Sequence, residues 1–349
     1  MQKIEKIKLR QNASIREALT KISEGALRIA LVEENNILLG TITDGDVRNA
    51  LLNGLTLDDT IENLYNRHPI VCYENNDNSL IIEKALEKKI YQIPVLNFKN
   101  EIVDIEDINE LLRPKIKNNT VIIMAGGLGT RLRPLTENTP KPMLRVGTKP
   151  ILHTIIENFK KYGFQKFILC VNYKSDVILD YFGDGSAFGI ELEYVYEKDR
   201  MGTAGALSLL TKHPEEAFFV MNGDLLTNIN FEHLLEFHHK HQSAATMCVR
   251  EYEYEIPYGV VNIEENSIDS IVEKPSHSYF VNAGIYVLTP GIFDYIPQNT
   301  FFDMPALFNL LIEDQKQCSS YLIEDYWLDI GRISDYEKAN IEYHNVFKN

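Results

Sequence analysis

Apolar positions along this chain follow two periods in turn, and the order in which those periods alternate changes near residue 115. Beyond that point, Val121-Ile122-Ile123 is an unbroken β-branched run, the pattern of a parallel strand buried on both faces. Residues 151–162 carry helical spacing, 167–171 read as a second strand, 177–182 as a second helix and 190–196 as a third strand. A helix over 204–210 and a strand over 218–221 continue the series, and 334–347 reads as one closing helix. This alternation predicts an α/β architecture, a doubly wound and mostly parallel sheet that takes ligands at the carboxyl ends of its strands.

The first part of the chain reads differently. Ser14 caps an amphipathic helix that runs to Glu24 with Ile15, Leu19 and Ile22 on one face, followed by short strands at 29–32 and 37–42 and a helix over 46–52. A helix at 80–88, strands near 93–96 and 102–105, and a helix over 107–112 repeat that order about 65 residues later. The polar stretch 113–119, with Pro114 disfavouring helix at the residue before it, interrupts the patterning. The expected division is a small α+β domain over 1–115 and a larger α/β domain over 119–349. A length of 349 residues fits two domains and admits a third.

Charge narrows the function. The formal charge of −15 divides into −3 for residues 1–118 and −12 for 119–349. An acidic body repels nucleic acid, so nucleic acid is not an expected partner. Residues 119–149 are the exception, with Arg131, Arg133, Lys141, Arg145 and Lys149 against the one acid Glu137. Scattered surface cations would look different, because these charges sit in a Gly/Pro-rich segment and not along a helix face. A basic pocket in an acidic body suits a small polyphosphate. Cys72, Cys170, Cys248 and Cys318 stand far apart with no Cys-x-x-Cys, which excludes a zinc knuckle and fits a reducing compartment. The N-terminal residues lack the apolar stretch of a signal peptide, and no apolar run approaches 18 residues. A cytoplasmic protein without a membrane partner is expected.

The richest segment is 124–142, Met-Ala-Gly-Gly-Leu-Gly-Thr-Arg-Leu-Arg-Pro-Leu-Thr-Glu-Asn-Thr-Pro-Lys-Pro, which begins where the strand at 121–123 stops. A glycine-rich turn there can bring backbone N–H groups to a phosphate, and Arg131, Arg133 and Lys141 add fixed positive charge. A dinucleotide fingerprint is excluded: Gly127-x-Gly129 supplies half of it, Leu132 takes the third glycine position, and Pro134 and Pro140 would break the helix that must follow. No Gly-x-x-x-x-Gly-Lys-Ser/Thr is present either. The strand at 218–221 ends in Asn222-Gly223-Asp224, and Trp327-Leu328-Asp329-Ile330-Gly331 offers a second acid. Each alone reads as a turn. Together, two acids and substrate phosphates are the usual way a Mg²⁺ ion is tethered.

These motifs resemble the sugar nucleotidyltransferases (sugar-1-phosphate nucleotidylyltransferases), from about residue 120 onward, with Gly126-Gly127-Leu128-Gly129-Thr130-Arg131 through Pro140-Lys141-Pro142-Met143 following the family signature. The resemblance implies a Rossmann-like fold in which Arg131 and Lys141 contact NTP phosphates and Asp224 and Asp329, as catalytic groups, hold Mg²⁺. It implies nucleotide binding by Ala125, Gly126, Gly127, Gly129 and Thr130, and by Gly202, Thr203 and Ala204 of the base-side loop Met201-Gly202-Thr203-Ala204-Gly205-Ala206-Leu207. Tyr258-Gly259, Glu273-Lys274-Pro275 and Asn282-Ala283-Gly284 match the sugar side, with Tyr258, Gly259, Glu273, Lys274 and Asn282 as binding residues and Lys274 at the sugar phosphate. Taken alone, Glu273-Lys274-Pro275 reads as an exposed strand end. The Gly-Thr-Ala-Gly-Ala-Leu wording resembles the GTP-using mannose and heptose members, although Asp199-Arg200-Met201 departs from the usual Pro-Leu.

The first part resembles a tandem cystathionine-β-synthase (CBS) domain pair, on Gly40-Thr41-Ile42-Thr43-Asp44-Gly45-Asp46-Val47-Arg48. That resemblance implies an adenosine-type nucleotide held by Thr43 and Asp46 and a homo-oligomer formed through the pair. The second copy, Ile102-Val103-Asp104-Ile105-Glu106-Asp107, lacks the Thr and the Gly. Asp46 also reads as a simple helix cap. The fusion of both parts resembles glucosamine-1-phosphate guanylyltransferases of legionaminic acid pathways. The expected reaction is therefore Mg²⁺-dependent transfer from GTP to glucosamine 1-phosphate. Mannose 1-phosphate, or UTP or dTTP as donor, are the alternatives, and a nucleotide-sensing regulatory subunit without turnover is the alternative of another class. No hexapeptide repeats follow residue 331, so no β-helical acyltransferase domain is expected.

Overall fold

The computed structural model describes residues 2–74, 79–108 and 114–347. The chain divides into two compact units, Met1–Pro114 and Lys115–Asn349.

The smaller unit contains the repeat at the level of its hydrogen bonds. Strands β1 (Lys8–Leu9), β2 (Ile29–Glu34) and β3 (Ile37–Thr43) form one sheet in that order, and β4 (Cys72–Tyr73), β5 (Gln92–Leu96) and β6 (Ile102–Asp107) form another. In each the first pair is parallel and the second antiparallel. Helix α1 (Ile15–Gly25) begins at a capping box of Ser14 and Glu17, and α2 (Asp44–Leu52) at one of Thr43 and Asp46. Each box satisfies two backbone donors that the first helical turn leaves open. Helix α3 spans Ser79–Glu87. The helix expected over 107–112 falls largely outside the described residues; Asp107 itself ends β6.

In the larger unit a seven-stranded sheet carries the architecture. Its order is β9 (Glu191–Tyr196), β8 (Phe164–Val171), β7 (Lys117–Met124), β10 (Phe218–Asn222), β15 (Ser276–Leu288), β12 (Ala245–Glu255) and β16 (Cys318–Leu322). The first four strands are mutually parallel, as their apolar runs predict. Strand β15 runs antiparallel to both β10 and β12, an extension that the pattern of runs did not announce. Val121 and Ile123 enter one core with Phe159, Phe219 and Phe231, while Ile122 enters the opposite core with Phe218, Val220 and Leu307. That division is the physical meaning of an unbroken apolar strand: both faces are covered, so neither can be polar. Helices α4 (Ile151–Lys160), α5 (Ser175–Phe182) and α6 (Phe231–Lys240), and the closing helix α8 (Ile333–Val346), contribute to the first core; α7 (Met304–Glu313) contributes to the second. The helix expected over 204–210 is instead a short turn at Gly202–Gly205 continued as a 3-10 segment, Ala206–Leu209.

The outer halves of β12 and β15, with the hairpin β13 (Val260–Glu264) and β14 (Ser267–Val272), form an exposed arm on which Tyr252, Tyr254, Ile263 and Ile268 face solvent.

One buried group couples this fold to pH. His238 on α6 is 1% exposed, its Nδ1 bonded to Thr246 Oγ1 at 2.8 Å while Nε2 has no partner among the described residues. Burial, then the neighbouring His239, lowers its pKa from 6.5 to about 4. The unfolded chain therefore takes up a proton near pH 6.5 that the folded chain resists until about pH 4, so this part of the stability is complete above pH 6.5 and is lost as pH falls through that window. Thermal unfolding midpoints measured between pH 7 and 4 should fall less steeply in His238→Gln than in the unsubstituted protein; parallel curves would contradict a neutral buried imidazole.

Candidate active site

Strand β7 delivers the glycine segment to the carboxyl edge of the sheet. Ala125 continues the ladder, its N–H donating to Cys170 O at 2.8 Å. At Gly126 a Cβ would stand 2.8 Å from Glu197 Oε1 and 3.2 Å from Asn172 Cβ, so a side chain there would have to displace the Glu197 carboxylate. At Gly127 nothing stands within 4 Å. Gly129 takes φ 61°, and its carbonyl accepts from Thr136 Oγ1 at 2.8 Å, fixing the turn, while Leu132 is buried beneath it. Thr130, Arg131 and Arg133 are exposed, with Arg131 Nη1 3.7 Å from the Cβ position of Gly331.

The two acids, far apart in sequence, meet through a small ribbon. Strands β11 (Leu225–Thr227) and β17 (Trp327–Asp329) pair antiparallel with Leu225 opposite Asp329, and Ile330 N–H donates to Asp224 O at 3.1 Å. Gly223 is required in the turn before them, because a Cβ there would lie 2.8 Å from Met124 O. Lys141, 7% exposed, bonds Asp224 Oδ2 with its ammonium and lies 3.9 Å from Asp329 Oδ1. Asp224 Oδ1 is buried with no partner among the described residues. The carboxyl of Asp329 is held above the ordinary aspartate range, first by desolvation of its inward-facing atoms and then by the charge of Asp224; Lys141 and Arg131 pull it the other way. An unpartnered buried carboxylate oxygen beside a second carboxylate fits a divalent cation. Among the described residues no cluster of three His, Cys, Asp or Glu exists.

These groups adjoin a cavity of about 460 Å³ lined by Gly126, Gly127, Asn172, Glu197, Gly202, Thr203 and Asp224 among others. Its far wall is a clamp. Thr203 N–H donates to Asp303 Oδ1 at 3.0 Å, Met304 N–H to Thr203 Oγ1 at 2.9 Å, and Ala204 N–H to Phe302 O at 2.9 Å. The amides of Ala125, Thr203 and Ala204 are thus engaged within the protein; these residues shape the wall and do not present those donors to a ligand. Glu197, directly after β9, has its pKa raised by burial while Oε2 accepts from Met201 N–H at 3.3 Å. Glu197, Asn172 and Asp303 escaped the motif reading. An acid immediately beyond the predicted strand 190–196, at the ligand-binding edge, was the available signal for Glu197.

The residues expected on the sugar side fall into two groups. Asn282 accepts from Gly284 N–H at 2.9 Å, and Gly284 packs so closely on Asn222 that a Cβ would lie 2.6 Å from its Nδ2, which brings this motif to the Asp224 turn. Gly259 and Glu273 adjoin each other, a Cβ at Gly259 lying 2.9 Å from Glu273 Oε2, but with Tyr258 and Lys274 they stand on the exposed arm and do not line the cavity. In the smaller unit Thr43 Oγ1 donates to Asp46 Oδ2 at 2.7 Å and accepts from Asp46 N–H at 3.3 Å, the closed capping box described above.

A parallel sheet with a glycine-rich loop, a lysine and two converging acids at its carboxyl edge defines a nucleotide-handling α/β domain. Residues 120–346 match the nucleotidyl transferase family model, and the chain belongs to that family. Residues 3–53 match the CBS domain model. Mannose-1-phosphate guanyltransferase of Candida albicans is 34% identical over 231 residues, 64% of each chain, and that of Saccharomyces cerevisiae 32% over 233 residues, again 64% of each. The chain thus spans about two thirds of the length of these curated relatives. Among solved structures, HddC from Yersinia pseudotuberculosis superposes with a TM-score of 0.52 at 29% identity, covering 64% of this chain and 99% of that one; the same protein complexed with GMP-PN gives 0.50 at 28%. Among the described residues no helix is long and apolar enough to cross a membrane.

Two glycines of the cavity separate shape from space. Gly202 has φ 78°, and a Cβ there would lie 2.6 Å from Asp303 Oδ1 and 2.7 Å from Phe302 O. Gly202→Ala should lower stability by about 1–3 kcal/mol and raise the nucleotide KM. Gly127→Ala, with open space around it, should keep wild-type stability; differential scanning calorimetry of both variants decides the matter, and equal losses would contradict this geometry.

Proposed function

We propose that the larger unit transfers a guanylyl group from GTP to a sugar 1-phosphate, giving an NDP-sugar and pyrophosphate. The observation that carries this reading is the convergence of Lys141, Asp224 and Asp329 beside the glycine loop at the end of the parallel sheet. A sugar 1-phosphate is largely dianionic at neutral pH, with a second pKa of about 6, so its oxygen is already a nucleophile and no general base is needed. The barrier is the approach of that dianion to the α-phosphate of a polyanion. Arg131 and Lys141 neutralise charge and align the in-line attack, with the electron pair of the breaking P–O bond leaving on pyrophosphate. Mg²⁺ held by Asp224 and Asp329 would screen the phosphate oxygens as a Lewis acid.

Glu197 supports guanine. The adjacent N1–H and N2–H of guanine are both donors and match the two oxygens of one carboxylate, whereas uracil and thymine present a single N–H between carbonyls that a carboxylate repels. For the acceptor we propose glucosamine 1-phosphate, on the joint occurrence of CBS and transferase parts. Mannose 1-phosphate is the second reading, favoured by the names of the relatives. The smaller unit is proposed to be a CBS pair that takes an adenosine-type nucleotide at Thr43 and Asp46 and joins copies of the chain.

Pyrophosphate release, screened with Mg²⁺ over five NTPs against glucosamine, mannose and glucose 1-phosphates, tests the assignment. Turnover with GTP is expected, and exclusive use of UTP or dTTP would overturn the guanine reading. Lys141→Ala should lose on the order of 10²–10³ in kcat, as for other donors aimed at developing phosphate or oxyanion charge. Glu197→Gln should lose roughly ten- to hundredfold in kcat/KM for GTP, the size of one charge-assisted hydrogen bond, and narrow the ratio of GTP to UTP use. An unchanged ratio would remove Glu197 from base recognition.

A further inference from the structure

We propose that Lys141 is a resident counter-ion of the acidic pair, withdrawn by nucleotide phosphates, so that cation binding to Asp224 and Asp329 depends on prior or joint arrival of the nucleotide. This inference rests on the metal role assigned above to the two acids. The Lys141 ammonium is bonded to Asp224 Oδ2 and stands 3.9 Å from Asp329 Oδ1, so it already answers the charge of the carboxylates that would hold a cation. It is not a surface lysine swept in by chance: 7% exposed, it leaves the turn Lys141–Met143 beneath the glycine loop. Arg131 completes the balance. Its Nη1 lies 3.7 Å from the Cβ position of Gly331, two residues beyond Asp329. Two carboxylates thus have two side-chain cations beside them; Asp335 Oδ2, 3.6 Å from the same Cβ position, is a third acid nearby, held by Arg332 N–H at 2.7 Å, so most of the charge of the pair is already answered.

A divalent cation added to such a group brings two positive charges that no anion answers, in a partly buried place where like charges a few ångströms apart interact by well over RT. A nucleoside triphosphate changes the account because it supplies the anion. Its phosphates draw Lys141 and Arg131 off the carboxylates and free Asp224 Oδ2 and Asp329 Oδ1. Asp224 Oδ1, buried and without a partner among the described residues, is the part of the pair that a single ammonium does not satisfy.

Binding of Mn²⁺ to the full-length protein without nucleotide, followed by the electron paramagnetic resonance signal of free Mn²⁺, tests this directly. Lys141→Met should bind Mn²⁺ on the order of tenfold or more tightly than the unsubstituted protein, because the competing charge is gone. Lys141→Arg, which keeps the charge, should stay weak, and Lys141→Met with Asp224→Asn should lose the gain. Equal affinity in the wild type and Lys141→Met overturns the proposal. If Lys141→Met does not fold, Lys141→Gln, which keeps a hydrogen-bond donor for Asp224, reads the same outcome. Repeating the titration with a non-hydrolysable GTP analogue separates the two layers. Unchanged Mn²⁺ retention in Asp224→Asn there would overturn the metal role itself, whereas retention lost in Asp224→Asn without a gain in Lys141→Met overturns only the counter-ion role.

Discussion

The ion pair between Lys141 and Asp224 is the interaction on which the rest of the site depends. It joins the glycine loop after β7 to the turn after β10, and through Asp329 it reaches the ribbon of β11 and β17. Burying a lysine is costly unless its charge is answered, so both strand ends must arrive in register for the loop to close at all. The close approach at Gly223 belongs to the same requirement: it removes a side chain where the turn must nearly touch the backbone of Met124. Charge, and not shape alone, therefore organises the carboxyl edge of this sheet.

The cavity wall formed by Thr203, Ala204 and Met304 is cross-linked, since these residues spend their donors on one another's segments. In the reading proposed for Glu197, a wall whose hydrogen bonds are internally satisfied leaves the choice of base to that carboxylate. The sugar-side motifs are divided, with Asn282 and Gly284 next to Asn222, and Tyr258, Glu273 and Lys274 on an exposed arm. An exposed two-stranded arm with few buried contacts is the least stable kind of element. It stands in contrast to the cross-linked wall of the cavity.

Much of this was legible in the residues. The parallel half of the sheet followed from unbroken apolar runs, the repeat in the smaller unit from its recurring order of elements, and the turn at the end of β7 from its glycine spacing. The antiparallel strand β15 was not, because its outer half is exposed and its inner half buried, so no single periodicity marks it. Glu197, Asn172 and Asp303 were missed because each is an ordinary polar residue at a loop until the fold brings the three to one cavity.

By itself the sequence determined the strands of the parallel half and that a basic glycine-rich loop lies in an acidic body, since these depend on local patterning and on composition. Tertiary structure alone decided that Asp224 and Asp329 converge, that Lys141 stands between them, and that the amides of Ala125 and Ala204 are already used. These are matters of register between distant segments, and a hydrogen bond or ion pair exists only at the few ångströms that register sets.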